Sequence, residues 1–276
     1  MPSGNSYRGM NPVKKAEIGG IILAYRETGS GYPLLLINGL ASAMDTWNPP
    51  VIDALSRQFR VIIFDNRGTG YSGASDEPLS IPLFAQDAGD LLESLGIARA
   101  HVLGFSMGAC IALELTLQSP EKVDRLILVA GDCGGPEAAR SDPEIFSRLA
   151  DKNGTMEEVA GRMFPLLFPP EWLASHDPYQ YCPAVEETTK TENAERQLES
   201  FRLWSGSFSR MGRIQSPTLV ITGNADIVVP PGNSAILCDR IPESQLVTLH
   251  GGGHGLMYQF PEQFSRTVLG FLAPLD

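Results

Sequence analysis

Short apolar runs, each closed by a turn-forming residue and followed by a helical pattern, recur along almost the whole chain and limit what it can fold into. Residues 33–38 (PLLLIN), 60–65 (RVIIFD), 100–105 (AHVLGF), 125–130 (RLILVA), 217–222 (PTLVIT) and 245–249 (QLVTL) have this form. Residues 13–18 and 20–26 add a hairpin about Gly19-Gly20. Runs this short and this apolar fit strands buried on both faces, as in a parallel sheet. Residues 45–58, 81–95, 107–118, 233–240 and 261–272 carry apolar side chains at helical spacing. The alternation predicts an α/β fold: a mostly parallel, eight-stranded sheet with helices on both faces and right-handed crossovers.

One segment breaks the rhythm. Residues 134–212 contain no strand-like run and read as short helices over 142–150, 155–167 and 192–203. The expected division is a core of 1–133 and 213–276 with an inserted helical cap of 134–212. The insert holds nine of the chain's 22 aromatic residues. Such a surplus suggests a face that covers something apolar. Phe146, Phe164, Trp172 and Trp204, with Phe105 from the core, are the candidate substrate-pocket residues. The alternative is that the insert's aromatics form only its own core.

Composition narrows function by exclusion. Lys plus Arg is 21 against 32 for Asp plus Glu, a net charge of −11. Such a surface argues against nucleic acid and anionic lipid as partners. No stretch approaches the apolar length of a membrane span. Residues 1–10 (MPSGNSYRGM) lack the apolar centre of a signal peptide. Cys110, Cys133, Cys182 and Cys238 are far apart, which suggests neither a zinc ribbon nor a disulfide framework. The expectation is a cytoplasmic enzyme with reduced thiols, acting without a metal or cofactor on a small molecule. Oligomeric state is left open.

The sharpest local motif is Gly104-Phe105-Ser106-Met107-Gly108, placed between a strand-like run and a helix. Small residues on both flanks let the chain turn sharply and lift the serine hydroxyl into a cleft. A serine hydroxyl needs a base. Of four histidines, His101 lies inside a strand-like run, His176 in the insert, and His250 at the end of the last strand. His254, in the glycine loop 251–255 (GGGHG), lies beyond the last strand, where parallel sheets carry their working residues. It is the favoured base. A His250/His254 metal pair is disfavoured by the intervening glycines and the lack of neighbouring carboxylates.

The third member must orient the imidazole. Asp226, just after the strand at 217–222, gives the order nucleophile, acid, base. Asp132 is a rival acid, and Asp226 could instead cap the turn before Pro230-Pro231. Developing negative charge on a substrate carbonyl needs backbone donors. The Met107 N–H opens a helix, and the Leu40 N–H follows Asn38-Gly39.

Together with DNRGTGYS at 65–72 and GNAD at 223–226, these motifs resemble the α/β-hydrolase superfamily over essentially the whole chain from Val13. The likeness is to small capped esterases, enol-lactonases and cofactor-free haloperoxidase-like members. It implies the α/β-hydrolase fold, a Ser106–Asp226–His254 triad, and an oxyanion hole from Leu40 and Met107. Asn38 stands where the family usually has histidine, which leaves the shape of that loop open. Arg67 is expected to brace loops by ion pairing, and Ser106 argues against the aspartate-nucleophile dehalogenases. The implied activity is serine hydrolysis of a carboxylic ester or lactone of a small, largely apolar substrate, losing rate as acid protonates the base. Cleavage of a carbon–carbon bond, acyl transfer to peroxide, and a receptor built on the same scaffold are the alternatives.

Overall fold

The computed structural model describes residues 12–273. Its eight strands are β1 (Lys14–Ile18), β2 (Ile21–Thr28), β3 (Tyr32–Ile37), β4 (Phe59–Phe64), β5 (Ala100–Phe105), β6 (Val123–Val129), β7 (Thr218–Gly223) and β8 (Ser244–Leu249). They form one sheet in the order β1-β2-β4-β3-β5-β6-β7-β8. The β1–β2 and β2–β4 pairs are antiparallel and all others parallel. The expected hairpin forms at Gly19-Gly20, both with positive φ, which suits a two-residue turn matched to strand twist.

The helices are α1 (Pro49–Ser56), α2 (Ile81–Ser94), α3 (Met107–Gln118), α4 (Pro143–Ala150), α5 (Met156–Leu167), α6 (Pro170–Leu173), α7 (Thr191–Arg202), α8 (Gly232–Arg240), α9 (Leu256–Gln259) and α10 (Pro261–Leu272). Helices α2, α3 and α8 pack on one face of the sheet, and α1 and α10 on the other. Local signals set the helix starts. Ser80 Oγ accepts from Leu83 N at the head of α2, and Thr155 and Glu158 form a reciprocal cap on α5. No helix among the described residues is long and apolar enough to cross a membrane.

Three local readings change. The pattern at 45–58 divides into a 3₁₀ turn at Met44–Thr46 and α1, because Pro49 and Pro50 cannot donate backbone N–H groups and so start a helix. The insert carries an additional turn of helix, α6, beginning at Pro170. Strand β8 is not buried on both faces: Gln245 and Leu246 are exposed because β8 is an edge.

Strand order decides where a cleft can open. β3 has β4 on one side and β5 on the other, and the helices that follow β3 and β5, α1 and α3, lie on opposite faces. The loops beyond the carboxyl ends of β3 and β5 therefore part, and a crevice forms between them. Those loops carry Asn38-Gly39-Leu40 and Ser106. Among the described residues, the positive-φ positions other than glycine are Ala41, Ser106 and Ala130, all at or just beyond the carboxyl ends of β3, β5 and β6.

Candidate active site

Ser106 sits at the single position between β5 and α3, with φ 57° and ψ −123°. A side chain held there costs on the order of 1–3 kcal/mol, offset by the surrounding packing. The turn needs its flanking glycines. A Cβ on Gly104 would lie 2.1 Å from Gly108 O, and one on Gly108 would lie 2.1 Å from Ile37 O. Helix α3 is apolar almost all round and enclosed, so its N-terminus is fixed against the sheet. That end presents positive potential to the crevice.

Three side chains from distant points in the chain meet here. His254 Nε2 lies 3.0 Å from Ser106 Oγ, and His254 Nδ1 lies 2.8 Å from Asp226 Oδ2. Asp226 also meets the capping alternative, because its Oδ1 accepts from Val228 N at 2.8 Å and Val229 N at 2.9 Å. One oxygen thus fixes the turn and the other faces the imidazole. All three side chains are buried. Phe105 packs its ring against that of His254, centroids 4.9 Å apart.

The glycine loop bearing His254 is held from two sides. Gly253 N donates to Gln259 Oε1 at 2.7 Å, and Gln259 Nε2 donates to Gly251 O at 3.1 Å. Gly255 N donates to Leu167 O, in α5, at 2.7 Å. The other histidines lie elsewhere. His101 is enclosed in β5 beside the rings of Tyr32 and Phe59, where burial lowers its pKa to about 4. His176 stacks on Trp172, and His250 is exposed. The rival acid, Asp132, lines the cavity beside Ser106, but the His254 ring nitrogens are taken by Asp226 and Ser106. Asp132 Oδ1 accepts from Gly134 N at 2.7 Å, its Oδ2 lies 3.7 Å from Arg140, and burial raises its pKa.

Gly39 approaches the serine so closely that a Cβ there would lie 3.0 Å from Ser106 Cβ. Asn38 shapes this loop from within. Its Oδ1 accepts from Gly39 N at 2.9 Å, and its Nδ2 donates to Ala43 O at 2.9 Å and Thr46 Oγ1 at 2.6 Å. Neither the Leu40 nor the Met107 backbone N–H donates to a protein acceptor among the described residues. Arg67 braces loops as expected of it, bonding both oxygens of Asp87 at 2.9 and 2.7 Å, and Ser75 at 2.9 Å.

A small, partly open cavity of about 10 Å³, room for about one water, lies beside Ser106. Leu40, Met107, Cys110, Phe146, Leu149 and Phe201 contribute to its wall. Of the five pocket candidates, Phe146 is in this wall. Phe105 lies beneath His254, within the core. Phe164 and Trp172 belong to a separate aromatic stack with Phe168, Tyr179 and His176. Trp204 donates its Nε1 hydrogen to Glu114 Oε1 at 3.1 Å. Composition flags aromatic rings but not the direction each faces, so Phe201 and the aliphatic lining escape notice. A groove of about 660 Å³ on the outer side of α4 and α7 contains none of the three residues. Among the described residues, no group of three or more His, Cys, Asp or Glu is placed to hold a metal ion.

Comparison with known proteins places the fold in a family. A family profile described as the alpha/beta hydrolase fold matches residues 32–261. The chain belongs to the α/β-hydrolase family. A relative from Azorhizobium caulinodans, provisionally named carbamate hydrolase RutD, is 31% identical over 258 residues, covering 92% of this chain and 96% of its own. A hydrolase of known structure from Pseudomonas aeruginosa PA01 is similar with a TM-score of 0.82 and 29% identity, over 96% of this chain and 99% of that one. The enol-lactonase from Burkholderia xenovorans LB400 is similar with a TM-score of 0.80 and 27% identity, over 94% and 99%. The α/β-hydrolase described here is accordingly a hydrolase on an eight-stranded, mostly parallel sheet.

Proposed function

We propose that this α/β-hydrolase cleaves a carboxylic ester or lactone through an acyl-enzyme on Ser106. The observation that carries the reading is the chain of contacts from Ser106 Oγ to His254 Nε2 at 3.0 Å and from His254 Nδ1 to Asp226 Oδ2 at 2.8 Å. His254 takes the Ser106 proton as Oγ adds to the substrate carbonyl carbon, and Asp226 steadies the resulting imidazolium. The Leu40 and Met107 amides receive the carbonyl oxygen as it gains negative charge. The tetrahedral adduct collapses, and the alcohol oxygen leaves with the proton from His254. Water then enters, gives a proton to His254 as its oxygen adds to the acyl carbon, and Ser106 Oγ leaves with that proton from His254, releasing the acid.

The insert at 134–212 serves as a cap on the core of 1–133 and 213–276. Phe146 and Leu149 of α4 and Phe201 of α7 support this role, since they roof the cavity over Ser106. The small apolar cavity favours short acyl groups. Turnover of p-nitrophenyl acetate by the wild type and Ser106→Ala tests the reading. Loss of about 10⁴-fold or more in the variant is expected, with a fluorophosphonate adduct on the wild type alone. Equal turnover by the two proteins would sink it.

A second reading is favoured by the relative named for carbamate hydrolysis. A carbamate carbonyl presents the same carbon to Ser106 and the same developing oxyanion. Parallel assays with phenyl acetate and phenyl carbamate rank the two: faster cleavage of the carbamate makes it the better description.

A further inference from the structure

We infer that Gln197, on α7, is a positioning residue that holds the oxyanion loop in its working shape and links that shape to the closed position of α7. Gln197 is completely buried. Its Oε1 accepts from Ala41 N at 2.8 Å. Its Nε2 donates to Arg67 O at 3.0 Å and to Thr69 Oγ1 at 2.8 Å. Every polar atom of the side chain therefore contacts one of the two loops behind the oxyanion site, and none contacts its own helix.

The Ala41 contact is the informative one. Ala41 has φ 51°, a left-handed conformation that an alanine adopts only when its surroundings impose it. Its N–H adjoins Leu40, whose own N–H is the donor expected at the carbonyl oxygen. Gln197 thus fixes the peptide that follows Leu40 in a backbone conformation the chain would otherwise leave. The same helix is anchored twice more on the neighbouring loop. Arg196 Nη2 donates to Glu77 O at 2.7 Å, and Asn193 packs close over Gly68, its Cγ 3.3 Å from where a Cβ would lie. That loop is itself held by the paired bonds of Arg67 to Asp87, so the anchor is rigid.

Phe201 follows Gln197 by four residues and lies one turn along the same face. Phe201 faces the cavity beside Ser106, and Gln197 faces the oxyanion loop. A shift of α7 away from the core removes the roof over the cavity and the acceptor for Ala41 N together. Full catalytic geometry is therefore reached only when α7 is seated.

This inference rests on the proposed acyl transfer at Ser106, and the experiment separates the two. The probe is phenylboronic acid: Ser106 Oγ adds to boron, the serine proton passes to His254, and the tetrahedral boronate places an oxygen in the oxyanion site. In Gln197→Met, kcat and boronate affinity should each fall about 10- to 100-fold, with KM changed little. Gln197→Glu keeps an acceptor for Ala41 N while losing both donors, so it should retain more boronate affinity than the Met variant. It also buries a charge beside carbonyl oxygens, so it should be the less stable of the two. Catalysis and stability then rank the variants in opposite orders, which a purely structural residue would not produce. If the Met variant does not fold, the Glu variant should still lose more boronate affinity than KM. Boronate affinity within about twofold of wild type in folded Gln197→Met, or no higher in Gln197→Glu than in Gln197→Met, or, where only the Glu variant folds, a KM that moves more than its boronate affinity, overturns the inference. Failure of the acyl-transfer reading looks different: wild-type enzyme would neither turn over ester nor bind the boronate.

Discussion

Gly39 shows how narrowly the space around the serine is set. A Cβ at this position meets Ser106 Cβ at 3.0 Å and Phe105 O at 3.2 Å, so Gly39→Ala must push the loop back by a few tenths of an ångström. We expect kcat/KM for a p-nitrophenyl ester to fall about 10- to 100-fold while the melting temperature changes little. Activity within twofold of wild type would mean that the loop tolerates the displacement. His101 illustrates a residue whose burial matters for stability alone. Its pKa is lowered to about 4, chiefly by burial, against an ordinary value of 6.5. Between those values the unfolded chain binds the proton and the folded protein does not, so His101 contributes stability above pH 6.5 that is lost as pH falls towards 4. The denaturant midpoint of His101→Asn should therefore fall less between pH 7 and pH 5 than that of the wild type. Parallel curves for the two proteins would contradict this assignment.

At the scale of elements, α3 and α7 carry the site from opposite sides. α3 is anchored to the end of the insert through Glu114, buried in its interior. Glu114 accepts from Arg210 Nη1 at 2.9 Å, with a second contact to Nη2, and from Trp204 Nε1 at 3.1 Å. Glu114→Ala leaves the buried Trp204 Nε1 without its acceptor, while Arg210 keeps Gly206 O and solvent, and should lower stability by about 1–2 kcal/mol in urea titration. Glu114→Gln, which still offers an oxygen to Trp204, should lose less. The strand-and-helix rhythm was legible because β3, β4, β5, β6 and β7 are enclosed on both faces and so nearly uniform in apolarity. Ser106 and Asp226 were legible as candidates because each follows such a run, and His254 because it lies in a glycine loop beyond the last strand. Gln197 was not: a lone glutamine in the charged stretch TENAERQLESFR reads as a solvent-facing residue. The clue lies in Ala194, Leu198 and Phe201, whose spacing makes an apolar stripe with Gln197 within it. A polar residue in such a stripe needs buried partners.

For the whole molecule, the proposed function depends on how residues 134–212 meet the core. The cavity beside Ser106 is too small for a long acyl chain while Phe201 fills its roof. Phe201→Ala should shift preference from acetate towards hexanoate esters by roughly tenfold or more in relative kcat/KM. An unchanged chain-length profile would show that longer acyl groups take another route. The pocket was the least legible part of the protein, because inward and outward aromatic residues have the same composition. The direction of Phe146 into the cavity and of Trp172 into its own stack depends on tertiary packing.

The separation of β6 and β7 along the chain has a further consequence, for the order in which the protein is made. The two strands are hydrogen-bonded neighbours, yet roughly 90 residues lie between Val129 and Thr218, a loop whose closure costs entropy before pairing returns any. Ser106 belongs to the part of the sheet synthesised before that gap, and Asp226 and His254 to the part made after it. A nascent chain therefore carries the proposed nucleophile early and the proposed base late, and it should stay chemically silent until β7 and β8 join the sheet.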